Sequence, residues 1–156
     1  MLKIRVHEKL DEAFNPKTVK IGNQTWMAEN LAIDDGGLGI KPLNNDDDFY
    51  LYNLSAAQRI VKTLPGWHLP TLSEFETLFT ELGGKREEHS HFYEYVGVDA
   101  FNPPFNLKPY NAFKPILWTS TKLPDSLQYA TYEIGRISAW YGSSPSTFAA
   151  IRLIKD

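Results

Sequence analysis

The sequence predicts an α+β domain, and three observations carry that prediction. A tight hairpin is written near the start of the chain. A rigid turn leading into a sharply bounded helix sits near the middle. The C-terminal part is a series of β-rich runs separated by turns. Helical signals followed by a block of strand signals are the pattern of α+β folds, not of alternating α/β folds. The 156 residues are read as one domain, 1–156, long enough to bury a core. A hydrophobic share of 42% and an aromatic share of 13% suit an ordered globular chain.

The elements follow in order. Met1–Glu8 alternates like a strand and lacks the apolar core of a signal peptide. Val19–Met27 reads as a hairpin about a Gly22-Asn23 turn. Asp34–Asp48 is glycine-rich and then acidic, without periodicity, and reads as a loop. Leu54–Leu64 reads as a first helix, capped by Ser55, with Ala57, Ile60, Val61 and Leu64 on its apolar face. The stretch Pro65-Gly66-Trp67-His68-Leu69-Pro70 reads as a turn, because its prolines fix φ and its glycine frees it.

A second helix begins after that turn. Thr71 and Glu74 have the spacing of a capping box. Leu72, Phe75, Leu78, Phe79 and Leu82 fall on one face, and Gly83-Gly84 marks the end. Lys85–Glu94 is strongly polar, and the proline- and asparagine-rich stretch to Pro115 carries Phe101, Phe105, Tyr110 and Phe113. Both read as long ordered loop pinned by aromatic contacts. Ile116–Thr121, Leu127–Ile134, Ile137–Tyr141 and Phe148–Ile154 read as an antiparallel meander.

Four motifs carry a resemblance to a known family. They are Val19-Lys20-Ile21-Gly22-Asn23-Gln24-Thr25-Trp26-Met27-Ala28-Glu29-Asn30-Leu31, then Leu51-Tyr52-Asn53, then Gly66-Trp67-His68-Leu69-Pro70, and finally Trp118-Thr119-Ser120-Thr121. In this order they resemble the Fibrobacter succinogenes major paralogous domain, from about Thr18 to Asp156, with a poor match between Lys85 and Lys114. The resemblance implies a C-type lectin-like fold, related to that of formylglycine-generating enzymes. Two helices would pack on a twisted antiparallel sheet with long loops, the first and last strands together and the termini close. It also implies that Trp26, Trp67, His68, Thr71, Glu74 and Trp118 are structural, with His68 a hydrogen-bonded core residue in a packed hinge. Relatives usually carry a cysteine before the turn and another in the last strand. The matching positions here are Leu64 and Leu153, so a staple, if those sulfurs pair, is replaced by a hydrophobic contact.

Composition excludes several classes of function. A net charge of −3 gives no overall basic field for nucleic acid or an anionic membrane surface, and no apolar run is long enough for membrane insertion. The cysteine-dependent oxidation of formylglycine-generating enzymes has no thiol here, because the chain contains no cysteine. No phosphate loop, nucleophile elbow or isolated carboxylate pair is written, and neither Ser73 nor Ser120 can be assigned to His68 as a nucleophile. No catalytic residue is therefore expected.

Metal binding has two candidates. Asp46, Asp47 and Asp48, with Asp34-Asp35 and Asn44-Asn45, supply oxygen ligands for calcium. The alternating spacing of an EF-hand loop is missing, as are the Glu-Pro-Asn and Trp-Asn-Asp triplets of sugar-binding C-type lectins, so a solvated loop is the expectation. Glu87, Glu88, His89, His91 and Glu94 crowd another stretch, but in a helix-leaning segment they read as a solvated face.

The favoured site is a surface. Tyr129, Tyr132, Trp140 and Tyr141, interleaved with serines that include Ser143 and Ser144, have the composition of a recognition surface. Alternation along a strand sends half of such residues to a core. The expected function is thus non-catalytic recognition of a protein or glycan through the C-terminal meander, with no cofactor. The alternatives are a structural or accessory subunit that docks a partner or forms an oligomer, and a calcium-dependent glycan binder. Lack of cysteine and of a signal peptide points to a cytosolic origin or a phage particle, whereas family habit points to the cell surface.

Overall fold

Gly22 takes φ +61° between two four-residue strands, Thr18–Ile21 (β1) and Gln24–Met27 (β2). Positive φ at the first central residue of a two-residue loop is the type II′ pattern, whose twist matches that of the paired strands. The register, from Thr18 opposite Met27 to Ile21 opposite Gln24, is the hairpin expected from the sequence. In this computed structural model residues 14–42, 49–90, 93–106, 116–123, 126–133, 136–140 and 147–156 are described, with backbone alone at 42 and within 122–140.

The remaining described elements are β3 (Ile40–Pro42), β4 (Tyr50–Tyr52), α1 (Leu54–Val61), β5 (Trp67–His68), α2 (Leu72–Glu81), β6 (Lys85–Glu88), β7 (Tyr93–Val96), β8 (Ile116–Leu123), β9 (Ser126–Glu133), β10 (Arg136–Trp140) and β11 (Ile154–Lys155). The class is α+β, but the strands form three antiparallel sheets instead of one. Their orders are β1-β2-β11-β5, β6-β7-β10-β9-β8 and β3-β4. Among the described residues no helix is long and apolar enough to cross a membrane.

Both helices end as their chemistry dictates. In α2 the capping box forms: Thr71 Oγ1 accepts from Glu74 N at 3.1 Å, and Glu74 Oε1 accepts from Thr71 N at 2.8 Å. Gly83, at φ +91°, closes the helix in a Schellman arrangement, with Gly84 N donating to Phe79 O and Gly83 N to Thr80 O. The cap of α1 is Asn53, not Ser55, since the Asn53 side chain accepts from Ala56 N at 2.9 Å. The helix starts at Leu54 as expected, but the cap lies two residues before Ser55, because Asn53 has extended backbone and a suitable acceptor.

Four further readings are corrected. Lys85–Glu94 is not loop but the two strands of a hairpin, β6 and β7, paired from Lys85 opposite Val96 to Glu88 opposite Tyr93. Asp34–Asp48 contains a strand, β3. The Pro65–Pro70 turn contains β5, the edge strand of the first sheet. The meander itself stands in β8, β9 and β10, while Phe148–Ile154 is not its fourth strand.

That last segment organises the molecule. Leu31 N and Met27 N donate to Ile151 O and Leu153 O, at 2.7 and 3.0 Å. Tyr52 and Ala149 exchange two backbone hydrogen bonds, and Ala150 bonds the backbone of Ile116 and Trp118. Ile154 then pairs with Trp26 on one side and His68 on the other. Residues 149–154 are all buried, and their alternation serves two cores. Ala150 and Ile154 join Ile21, Trp26, Phe75, Leu78, Phe79, Tyr95, Phe105 and Leu117. Ala149, Ile151 and Leu153 join Met27, Leu31, Tyr52, Ala56, Ile60, Leu64 and Trp118. The last strand thus lies beside β2 and not beside the first strand β1, and Leu64 and Leu153 share one apolar cluster. Met1–Glu8 lies outside the described residues.

Candidate functional site

The family-like motifs resolve into hydrogen bonds that hold these pieces together. Gln24 accepts from the Trp26 indole at 3.0 Å and donates to the Glu74 carbonyl at 3.1 Å, tying the hairpin to α2. The Trp118 indole donates to Tyr52 O at 2.7 Å. Tyr52 Oη in turn meets the backbone of Ile33, accepting from its N–H and donating to its carbonyl, and burial raises its pKa. Arg152, 1% exposed, donates to Asn30 Oδ1 at 2.8 Å and to Phe105 O at 2.6 Å, with its guanidinium stacked 4.4 Å from the Phe105 ring. Burial lowers its pKa against the raising charge of Glu29, yet an arginine remains charged at neutral pH, and carbonyls and a ring add to the compensation. The described part of the proline-rich segment, 101–106, is tied to the last strand segment through this contact.

One motif does more than hold the fold. Pro65 and Gly66 project beyond the second core, with Gly66 at φ +88° and no atom within 4 Å of where a Cβ would stand. The chain then enters β5 at the sheet edge. Trp67 and His68 from β5, Asp156 after β11, Gln58 from α1, Lys62 at its C-cap, and Ser120 from β8 line an open groove of about 700 Å³. Ser120 is placed there because its N–H donates to Pro70 O at 2.8 Å, while Thr121 Oγ1 accepts from Leu72 N at 2.8 Å. Phe14 supports the Trp67 ring edge-on at 6.1 Å between centroids.

His68 is not a core residue. Its side chain is 36% exposed, and its ring lies between two carboxylates. Nδ1 is 2.7 Å from Asp156 Oδ1, and Nε2 is 3.0 Å from both oxygens of Glu74. Burial alone would lower its pKa, but the hydrogen bonds to Asp156 and Glu74, with their charges, outweigh it and raise the pKa. Nor is the turn a packed hinge: Trp67 and His68 are paired strand residues with one side open to the groove.

The other predicted site residues distribute differently. Trp26 and Trp118 are fully buried, and Thr71 and Glu74 form the cap of α2. Tyr129 is the Cα partner of Trp118 on one side and of Trp140 on the other, whereas Tyr132 pairs with Ile137. The side chains of Tyr129, Tyr132 and Trp140 lie outside the described residues, as do Tyr141, Ser143 and Ser144 entirely. Asp46, Asp47 and Asp48 also lie outside them. Of the neighbouring acids, Asp34 caps Gly36 N, while Asp35 takes a two-pronged ion pair from Arg59 at 2.8 and 3.1 Å and accepts from Gly37 N. The groove escaped the sequence reading because its walls come from four separate elements. Its signal was the presence of Trp67 and His68 next to a glycine-proline turn.

The sequence profile of the Fibrobacter succinogenes major domain matches residues 19–100, more than half of the chain. The chain belongs to this family. The match contains three of the four motifs, together with α1, β5 and α2, and so also most of the groove wall. The segment at 149–155 that completes the first sheet lies beyond it. No curated protein and no solved structure matches the chain.

Proposed function

We propose that this domain is a non-catalytic recognition module of C-type lectin-like architecture, and that it binds a glycan in the groove beside Trp67. The composition of the groove supports this reading. A half-exposed indole offers an apolar face to the C–H side of a sugar ring, and Gln58, Lys62, His68, Ser120 and Asp156 surround it with donors and acceptors. A volume of about 700 Å³ lies within the usual range for small-ligand sites, and a concave groove suits an oligosaccharide better than a flat protein epitope. The hairpin of the family motif beside the last strand and the two helices are consistent with the architecture.

The non-catalytic part of the proposal rests on His68. Ser120, His68 and Asp156 line the same groove, which is the residue set of a nucleophilic triad. However, the Nε2 that would take a serine proton faces Glu74, and Nδ1 faces Asp156. An imidazole with both nitrogens on carboxylates favours the charged form, which has no lone pair for a proton.

A glycan array with the purified domain, followed by calorimetry on the best oligosaccharide, tests this. Trp67→Ala and the more conservative Gln58→Ala/Lys62→Ala pair should each weaken binding by at least tenfold, with the melting temperature of the latter preserved. Binding that survives these variants but disappears in Trp140→Ala/Tyr141→Ala would place recognition on the C-terminal meander instead. An array without signal would remove the glycan reading.

A further inference from the structure

The hairpin that the sequence concealed has two unlike faces. On the face toward α2, Arg86 pairs with Glu88 at 2.7 Å and Glu76 at 3.5 Å and lies 4.0 Å over the Tyr93 ring. On the other face, Glu87 and Glu94 are Cα partners across the two strands. Like charges at directly opposed positions repel, with Cβ atoms roughly 5 Å apart. Glu94 is 2% exposed and its Oε1 lies 3.0 Å from His89 Nε2. One donor atom from each of Glu87, His89 and Glu94 falls within 4.8 Å of the others.

We infer that Glu87, His89 and Glu94 form a binding site for one divalent transition-metal ion, with Zn²⁺ as the ion that probes it. Two carboxylate oxygens and one imidazole nitrogen suit such an ion, whereas calcium takes six to eight oxygens. With metal–ligand bonds near 2 Å, donors around zinc stand roughly 3.3 Å apart, so the observed spread closes by small rotations. Glu87 and His89 are exposed and can make them, while buried Glu94 supplies the fixed ligand. The ion turns an opposed pair of carboxylates from a repulsion into a shared ligand set. Three protein ligands leave the fourth position open toward solvent, where water or a donor from a bound molecule completes the shell. A strand hairpin brings these residues together, which a helical reading of the same stretch does not.

Calorimetry and native mass spectrometry with ZnCl₂ on tag-free protein test this. The expected result is one Zn²⁺ per chain at micromolar concentration, with a melting temperature that rises with zinc. Glu87→Gln and His89→Gln, both at exposed positions, should each weaken binding at least tenfold, and CaCl₂ should not compete. His68→Gln should bind zinc like the native chain. Absence of stoichiometric binding, or binding indifferent to Glu87→Gln and His89→Gln, overturns the site. Loss of binding in His68→Gln alone also overturns it, since the ion would then belong to His68, Glu74 and Asp156.

Discussion

His68 concentrates the difference between a motif as written and a motif as folded. Its place in the family's turn motif made it read as a hydrogen-bonded core residue. In the fold, β5 is an edge strand, so one side of it meets solvent, and the ring settles between Glu74 and Asp156. The two carboxylates raise its pKa above the unfolded value of 6.5. The folded state then binds the proton more tightly, and stability contributed by His68 is fully present below about pH 6.5 and falls as pH rises through the folded pKa. Urea denaturation of native and His68→Gln protein should show the largest stability difference near pH 6 and a smaller one near pH 8. A difference that grows with pH would show that the imidazole is held neutral. Exposure of about a third of the side chain keeps the effect modest.

Elements were legible where side chains alone define them. The Gly22 hairpin, the Thr71–Glu74 box with its glycine end, and the strands of the meander each carry a local signature that no distant contact overrides. The β6–β7 hairpin carries none: Lys85–Glu88 is exposed at every position, so it has no alternation to read and is held by backbone pairing. The start of α1 was ambiguous for a different reason. Asn53 and Ser55 are both good caps, and only the backbone decides between them. Replacing Asn53 by alanine should cost about 1 kcal/mol, while Ser55→Ala, at an exposed position, should stay within about 0.5 kcal/mol. Chemical denaturation midpoints at unchanged slope measure both, and a reversed order would restore Ser55 as the cap.

At the scale of the molecule, the apolar run at the chain end has a meaning that periodicity does not convey. Residues 149–154 read as a sheet strand because they are apolar and β-prone. Burial on both faces instead marks a segment inserted between two cores, bonded in turn to the hairpin region, β4, β8 and β5. The family motifs supply the other halves of those contacts, so they were legible as structural, whereas the groove, built from four elements, was not. Native-state hydrogen exchange should therefore give Met27, Leu31, Tyr52, Trp118, Ala149 and Ala150 one common opening free energy, that of global unfolding. Separate values for the first and second sheets would show that the segment does not couple them.

In the proposed reading, recognition takes place in the groove at Trp67, which Gln58, Lys62, His68 and Ser120 also line. Amide and indole chemical-shift perturbation with the best oligosaccharide from the array tests this most directly. The predicted result is a cluster at Gln58, Lys62, the Trp67 indole, His68 and Ser120. Perturbation confined to β9 and β10, with those groove signals unmoved, would contradict it.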